Sequence, residues 1–292
     1  MSRRPDWIKA RAPTPAQADA MRGMRDILKR HGLHTVCQGA LCPNAVECWG
    51  AGTATFMLLG DVCTRACRFC GVATGDPGGR VDADEPRRVA EAIGELALDY
   101  VVLTSVDRDD LDDGGSELFA ETVDRIKQAR PEAIVEVLIP DFSGDPRALN
   151  RILRSGADVL GHNVETVRSL TPRMRDRRAS YDQSLAVLSY LRAGGSSSGQ
   201  RIKSGLMVGL GELRREISDA LEDLRAAGVD TLTVGQYLRP TSAAVPEARF
   251  VPPGEFEEIE AEARALKFRA VVAGPLVRSS YHARELFETP CD

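Results

Sequence analysis

The chain has 292 residues, with 38 Lys and Arg against 43 Asp and Glu, a formal charge of −5 that argues against nucleic acid as its main partner. An apolar content of 43% can bury a large core, while no apolar run approaches the roughly 18 residues of a membrane span, so a membrane anchor is not expected. Arg3 and Arg4 stand near the start without a following apolar stretch, which makes an export signal unexpected and a cytoplasmic location the expectation.

In chain order, Pro15 to Gly32 reads as a helix with a glycine stop. Strands are expected at Thr55 to Leu59, Tyr100 to Leu103, Ile134 to Leu138, Val159 to Leu160, Ile202 to Val208 and Thr231 to Val234, all short apolar runs suited to strands buried on both faces. Amphipathic stretches separate them, among them Pro86 to Leu98, Ser116 to Gln128, Tyr181 to Leu191 and Glu212 to Ala227. The loop from Gly194 to Gly199 interrupts this alternation without ending it. A further helix is expected at Pro253 to Leu266, followed by a return segment from Val271 to Tyr281.

Alternating strands and helices imply a parallel sheet with right-handed crossovers, and six such units are too few to close an eight-stranded barrel. The expected fold is α/β, an open, partial (βα)6 TIM barrel with N- and C-terminal extensions over its mouth. Residues 1–53 form the first extension, 54–250 the barrel and 251–292 the second extension, in a single globular unit. Charge is uneven along it. Residues 1–36 carry eight Lys or Arg against three Asp, which reads either as a solvated helix face or as a docking surface for an acidic carrier domain.

Six of the seven cysteines fall between positions 37 and 70 as two unlike triplets, Cys37-x4-Cys42-x5-Cys48 and Cys63-x3-Cys67-x2-Cys70. Each is one thiolate short of a closed four-ligand metal or iron-sulfur site. Paired disulfides belong mostly to small secreted domains, and structural zinc favours paired knuckles that neither triplet forms. An iron held by only three protein thiolates keeps a position open for a substrate or cofactor. Cys291, beside the terminus, has no evident partner in the pattern and reads as incidental.

The second triplet, which follows the run Thr55 to Leu59 and has Phe69 before its last cysteine, resembles the signature of the radical S-adenosylmethionine (SAM) enzymes. The resemblance implies a [4Fe-4S] cluster on Cys63, Cys67 and Cys70, with SAM chelating the fourth iron and yielding a 5'-deoxyadenosyl radical when reduced. The segment Gly205 to Glu212 is similar to the superfamily stretch that packs on the adenine, so Gly205, Gly209 and Glu212 are candidate SAM contacts; a glycine-dependent turn is the other reading. Asn163 and Glu165 end the fourth strand where the superfamily contacts the ribose or methionine part, unless they form only a surface turn. Phe69, Ser105 and Arg108 are further candidates beside the run Asp107 to Asp110, itself open to reading as a solvated charge run. His34, His162 and His282 lack metal-ligand spacing and read as packing or supporting residues.

The first triplet, in the setting His34 to Trp49, and Gly274 to Tyr281 near the other end resemble two motifs of the lipoyl synthases. So do Tyr100 to Leu111, His162 to Thr166 and Gly235 to Leu238, in one order over nearly the whole chain from Pro5 to Phe287. Departures fall at Gly161, Leu213 and Arg239-Pro240, where asparagine, threonine and Gln-Pro are usual. The resemblance implies an auxiliary [4Fe-4S] cluster on Cys37, Cys42, Cys48 and Ser280, the serine oxygen being a harder donor than a thiolate. It further implies that the chain inserts two sulfur atoms, at carbons 6 and 8 of an octanoyl chain carried on a lipoyl domain, and that the auxiliary cluster is consumed as donor. The implied partners are octanoylated carrier domains (the E2 component of 2-oxoacid dehydrogenases or the glycine cleavage H protein), an electron donor and an iron-sulfur carrier that rebuilds the cluster. Two other readings stand beside this one, another radical SAM sulfur-inserting enzyme and a non-catalytic iron-sulfur carrier.

Overall fold

A computed structural model describes residues 4–9, 12–36, 44–50, 52–195 and 199–289. Cys37, Cys42 and Cys291 lie outside the described residues. Helix α1 (Pro15–Arg30) starts at a reciprocal cap, in which the Thr14 hydroxyl accepts from the Gln17 amide and the Gln17 side chain accepts from Thr14 N–H. Strand β1 (His34–Thr35) and helix α2 (Ala45–Gly50) follow, then β2 (Thr53–Leu58), the first strand of the barrel. A small parallel pair, β3 (Val62–Cys63) and β4 (Ala73–Thr74), interrupts the first crossover before α3 (Glu85–Leu96).

The repeating units are then β5 (Tyr100–Ser105) with α4 (Ser116–Ala129), β6 (Ile134–Leu138) with α5 (Pro146–Leu153), and β7 (Val159–Gly161) with α6 (Thr171–Met174) and α7 (Tyr181–Gly195). They continue through β8 (Arg201–Val208) with α8 (Arg214–Ala226), β9 (Thr231–Gln236) with α9 (Pro253–Ala265), and β10 (Ala270–Gly274) with α10 (Ala283–Glu288). The sheet runs β1-β2-β5-β6-β7-β8-β9-β10, parallel throughout except that β1 pairs antiparallel with β2. It is open among the described residues, with β1 and β10 at its edges. This is the expected α/β partial barrel. Each of the six expected strands forms, and the segment expected only to return to the mouth adds a seventh parallel strand, Ala270 pairing with Thr231 and Gly274 with Gly235. The run Ala270-Val271-Val272-Ala273 has the β-branched character of the other strands, but it was too short to stand out.

Strand alternation separates two environments. Ala54, Phe56, Leu58, Val101, Leu103, Val135, Val137, Ile202, Leu232 and Val234 face the helices and join one large apolar core. The other face, toward the barrel interior, is more polar: Thr53, Thr55, Tyr100, Thr104, Glu136, Lys203, Thr231 and Thr233 are all buried there. Lys203 Nζ lies 2.8 Å from both Glu136 carboxylate oxygens, and the Tyr100 hydroxyl donates to Glu136 at 2.6 Å.

After β10 the chain passes the mouth, where the Val277 carbonyl crowds Gly235 and Arg278 donates to the Gln236 carbonyl at 3.3 Å. It then descends the inner face. Ala283 packs on Tyr100 and Val102, and the Phe287 ring meets Tyr100 edge-on at 6.3 Å with the Arg201 guanidinium 4.1 Å from its centroid. Since Tyr100 and Arg201 begin their strands, α10 lies at the end of the barrel opposite the mouth. No described helix is long and apolar enough to cross a membrane.

Candidate active site at the C-terminal ends of the strands

The second cysteine triplet sits in the loop after β2, at the face where barrels of this type gather their chemistry. Leu59 and Gly60 leave the strand with positive φ, 66° and 86°, a sharp exit secured when Leu59 N–H donates to Glu85 at 2.9 Å. The β3–β4 pairing closes the neck of the loop, and Gly75 N–H donates to the Cys63 carbonyl at 2.9 Å. Each sulfur accepts at least one backbone N–H: Cys63 from Arg65 at 3.4 Å, Cys67 from Asp176 at 3.3 Å, Cys70 from Val72 at 3.4 Å.

Arg65, inside the triplet and buried, pins the loop to its neighbours. Its guanidinium reaches Asp109 after β5 at 2.7 Å and Asp141 after β6 at 2.8 and 2.9 Å. Asp176, after α6, accepts from Ala66 N–H at 3.0 Å, and Arg68 N–H donates to the Met174 carbonyl at 2.8 Å. Arg65, Asp141 and Asp176 went unnoticed in the sequence; a buried-type fork within a cysteine loop of a chain rich in Asp was the one available signal.

Burial pushes the Cys63 thiol up to about 11 and Cys67 up to about 12, against the opposing pull of the backbone N–H groups. Cys70 is exposed at the loop surface, yet the atoms crowded around it raise it as well. Without metal these thiols keep their protons at neutral pH, so metal binding must release protons. Burial also lifts Asp107 to about 6, with Arg65 opposing and Asp141 and Asp109 adding to the rise.

Asn163 and Glu165 meet Gly205 beside this loop. A Cβ on Gly205 would come within 2.7 Å of Asn163 Oδ1, so the glycine leaves room for that side chain. Glu165 holds the left-handed backbone, φ 68°, and extends the β7–β8 pairing as its N–H donates to Gly205 and its carbonyl accepts from Met207 at 2.9 Å. Its side chain is desolvated, which raises its pKa, and its charge is felt at Cys67 and Cys70.

The remaining candidates face inward or serve the scaffold. Both Glu212 oxygens are taken by backbone N–H groups, Gly209 at 2.6 Å and Leu210 at 2.9 Å, so this carboxylate latches the turn after β8. Arg108 is buried with its guanidinium on Asp110 and on the carbonyls of Leu59 and Arg80. Ser105 donates to the Val106 carbonyl at 2.9 Å, and Phe69 packs partly buried against the main core.

For the first triplet, Cys48 lies on α2, half-buried against the core. Ser280 Oγ receives a hydrogen bond from Thr55 Oγ1 at 2.9 Å on the barrel's inner face. The two extensions are tied together: Asn44 donates to the Leu276 carbonyl at 2.6 Å, and Glu47 faces both the Tyr281 hydroxyl at 3.3 Å and His282 at 3.5 Å.

Residues 57–235 match the model of the radical SAM superfamily. Over 284 residues the chain is 55% identical to the lipoyl synthase of Thermus thermophilus, covering 97% of this chain and 86% of that protein. It is 53% identical over 290 residues to the lipoyl synthase of Pyrobaculum arsenaticum, covering 99% and 96%. The chain belongs to the lipoyl synthase family. Among solved structures, methylornithine synthase (TM-score 0.55, 14% identity, 87% of this chain and 77% of that one) shares the fold. So does the FeFe-hydrogenase maturase HydG from Carboxydothermus hydrogenoformans (TM-score 0.56, 14% identity, 94% and 69%).

As a lipoyl synthase family member the chain is a radical SAM sulfur-inserting enzyme, and the family implies a [4Fe-4S] cluster and SAM. Three thiols, each sulfur already holding an N–H donor, suit that cluster, because each thiolate would ligate an iron and keep a donor to share its charge. Among the described residues no three His, Cys, Asp or Glu side chains form a site for a single metal ion.

Proposed function

We propose that the chain inserts two sulfur atoms, at carbons 6 and 8 of an octanoyl chain borne on a lysine of a lipoyl carrier domain, either an E2 domain of a 2-oxoacid dehydrogenase or a glycine cleavage H protein. Cys63, Cys67 and Cys70 would hold one [4Fe-4S] cluster, and Cys37, Cys42, Cys48 and Ser280 the auxiliary one. When bound, these groups and SAM supply the hydrogen-abstracting radical and the sulfur. Unactivated C–H bonds offer no acidity to side-chain bases, which is why the reaction needs them.

The observation that carries the reading is the donor arrangement at the second triplet, three sulfurs each met by a backbone N–H in a loop clamped by Arg65. The chain's own residues then bind and orient. Asn163, seated against Gly205, and Glu165 would line the place beside Cys67 and Cys70 where SAM lies, and Ser105 and Phe69 are further candidate contacts. Gly209 and Glu212 shape the turn that borders it. The segment from Asn44 to Gly50 and the segment from Leu276 to His282 are tied together beside the auxiliary site by the contacts of Asn44 and Glu47, and Thr55 orients the Ser280 oxygen. A separate reductant must feed the barrel cluster, and an iron-sulfur carrier must rebuild the auxiliary one after turnover.

The test is anaerobic reconstitution followed by incubation with SAM, reductant and an octanoyl-lysyl peptide. Mass spectrometry is expected to show two sulfurs added to the peptide and about two 5'-deoxyadenosines formed per product. Formation of 5'-deoxyadenosine with an unaltered peptide would refute the assignment of substrate.

A further inference from the structure

The mouth of the barrel carries an arc of arginines that the chemistry described above does not use. Segments after four different strands contribute to it: Arg68 in the loop after β2, Arg173 on α6 and Arg177 in the loop that follows it, Arg215 in the first turn of α8, and Arg239 after β9. Arg68, Arg173, Arg177 and Arg215 are exposed, and Arg239 is half-exposed. Contacts make the arc continuous. Arg68 donates to the Arg173 carbonyl at 3.4 Å, the Arg68 carbonyl accepts from Val245 N–H at 3.0 Å, and Arg239 Nε donates to the Ala244 carbonyl at 2.7 Å. Arg173 and Arg215 both act on Glu216, Arg239 N–H donates to Glu247 at 3.0 Å, and Asp176, next to Arg177 in the chain, is itself paired with Arg178 at 2.8 Å.

Leu213, 54% exposed, stands within this arc, at the start of α8 and immediately before Arg214 and Arg215. It is a large apolar side chain left open to solvent at the rim. The loops after β5 and β6 present instead Asp109, Asp112, Asp113 and Asp145; Arg147 pairs with Asp145, Arg151 with Asp113, and Arg65 and Arg178 with Asp109. The mouth is therefore polarised, cationic on the side of β7, β8 and β9 and acidic across from it. In a chain of net charge −5 this gradient runs against the overall balance.

We propose that this arginine arc, with Leu213 beside Arg215, is the docking surface for an acidic carrier protein whose acyl-lysyl arm enters the mouth. The inference rests on the function proposed above and names where its macromolecular substrate sits. An acyl chain attached to a folded domain brings that domain's surface against the rim when the chain reaches the cluster loop, so the rim's charge selects the partner. Opposite charge on the partner raises the encounter rate and fixes the orientation, the acidic loops after β5 and β6 repelling the wrong approach. The basic N-terminal helix is the competing surface. Part of its charge is already met, Arg30 by Glu95 at 2.8 Å and Arg22 by Asp19, and α1 packs on α2 and α3 rather than on the loops at the mouth.

The experiment compares two substrates, an octanoylated carrier protein and a short octanoyl-lysyl peptide without acidic residues, under anaerobic turnover. Replacing Arg173, Arg177 and Arg215 together (R173E/R177E/R215E) is expected to raise KM for the carrier about tenfold while the kinetics with the peptide stay unchanged. For the unaltered protein, KM with the carrier is expected to rise with salt and KM with the peptide to stay flat. An unchanged carrier KM in the triple variant, or a rise produced by R25E/K29E on α1 in its place, would overturn the proposal. Peptide turnover by the unaltered protein separates this outcome from a failure of the functional reading, since that failure would show with both substrates.

Discussion

At the scale of single residues, His162 shows how a buried polar side chain can be committed to structure. Arg175 donates to Ser184 Oγ at 2.7 Å, that hydroxyl faces His162 Nε2 at 2.9 Å, and His162 Nδ1 faces the Ile139 carbonyl at 2.9 Å. The carbonyl can only accept, so the ring carries its proton on Nδ1 and takes the serine proton at Nε2 as a neutral imidazole. Burial, aided by Arg175, lowers its pKa from 6.5 to about 4. Between those values the unfolded chain binds a proton that the folded one refuses, so this contribution is complete above pH 6.5 and is lost as pH falls toward 4. The loss between pH 7 and pH 5 is about 2 kcal/mol. Anaerobic denaturant titrations at those two pH values are expected to show a smaller pH-dependent loss in His162→Gln than in the unaltered chain by about that amount; equal losses would place the imidazole's proton elsewhere.

At the scale of elements, the turns between strand and helix decide where the site forms. Gly209 has φ 95°, and a Cβ there would lie 2.1 Å from Gln236 Nε2 and 2.7 Å from the Arg249 carbonyl. Gly209→Ala is therefore expected to cost at least about 2 kcal/mol, read as a lowered unfolding midpoint; a midpoint within error of the unaltered chain would mean that the β8 turn can shift freely. The strands were legible because apolar runs of β5, β6 and β8 are bounded by turn residues, and the second triplet because its spacing is rare. Less legible was anything set by side-chain direction. The segment Gly205 to Glu212 could be read as a SAM contact or as a glycine-dependent turn, and only the folded chain shows that both Glu212 oxygens accept from the Gly209 and Leu210 amides and that Arg108 is held by Leu59, Arg80 and Asp110. Arg65 escaped notice because its partners, Asp109 and Asp141, lie 44 and 76 positions away, a separation that no local pattern reveals.

At the scale of the whole molecule, the barrel divides an apolar shell from a polar interior, with the cluster loop at one end and α10 at the other. The Lys203–Glu136 pair in that interior is 4% and 1% exposed at the side chains, so removing one partner strands the other away from water. Lys203→Met is expected to destabilise the chain by about 3–5 kcal/mol, and pairing it with Glu136→Gln to restore much of the loss. A double variant no more stable than Lys203→Met would show that the carboxylate is not the cause. The same layout puts Ser280 beside Thr55 on the inner face and the second triplet at the mouth, which is the basis for giving the two sets of cysteines different work. That division of labour is tested most directly by measuring 5'-deoxyadenosine and thiolated peptide together, in one anaerobic turnover, for Cys37→Ala and Cys63→Ala. Cys37→Ala is expected to form 5'-deoxyadenosine and insert no sulfur, and Cys63→Ala to do neither; sulfur insertion retained by Cys37→Ala would contradict the account.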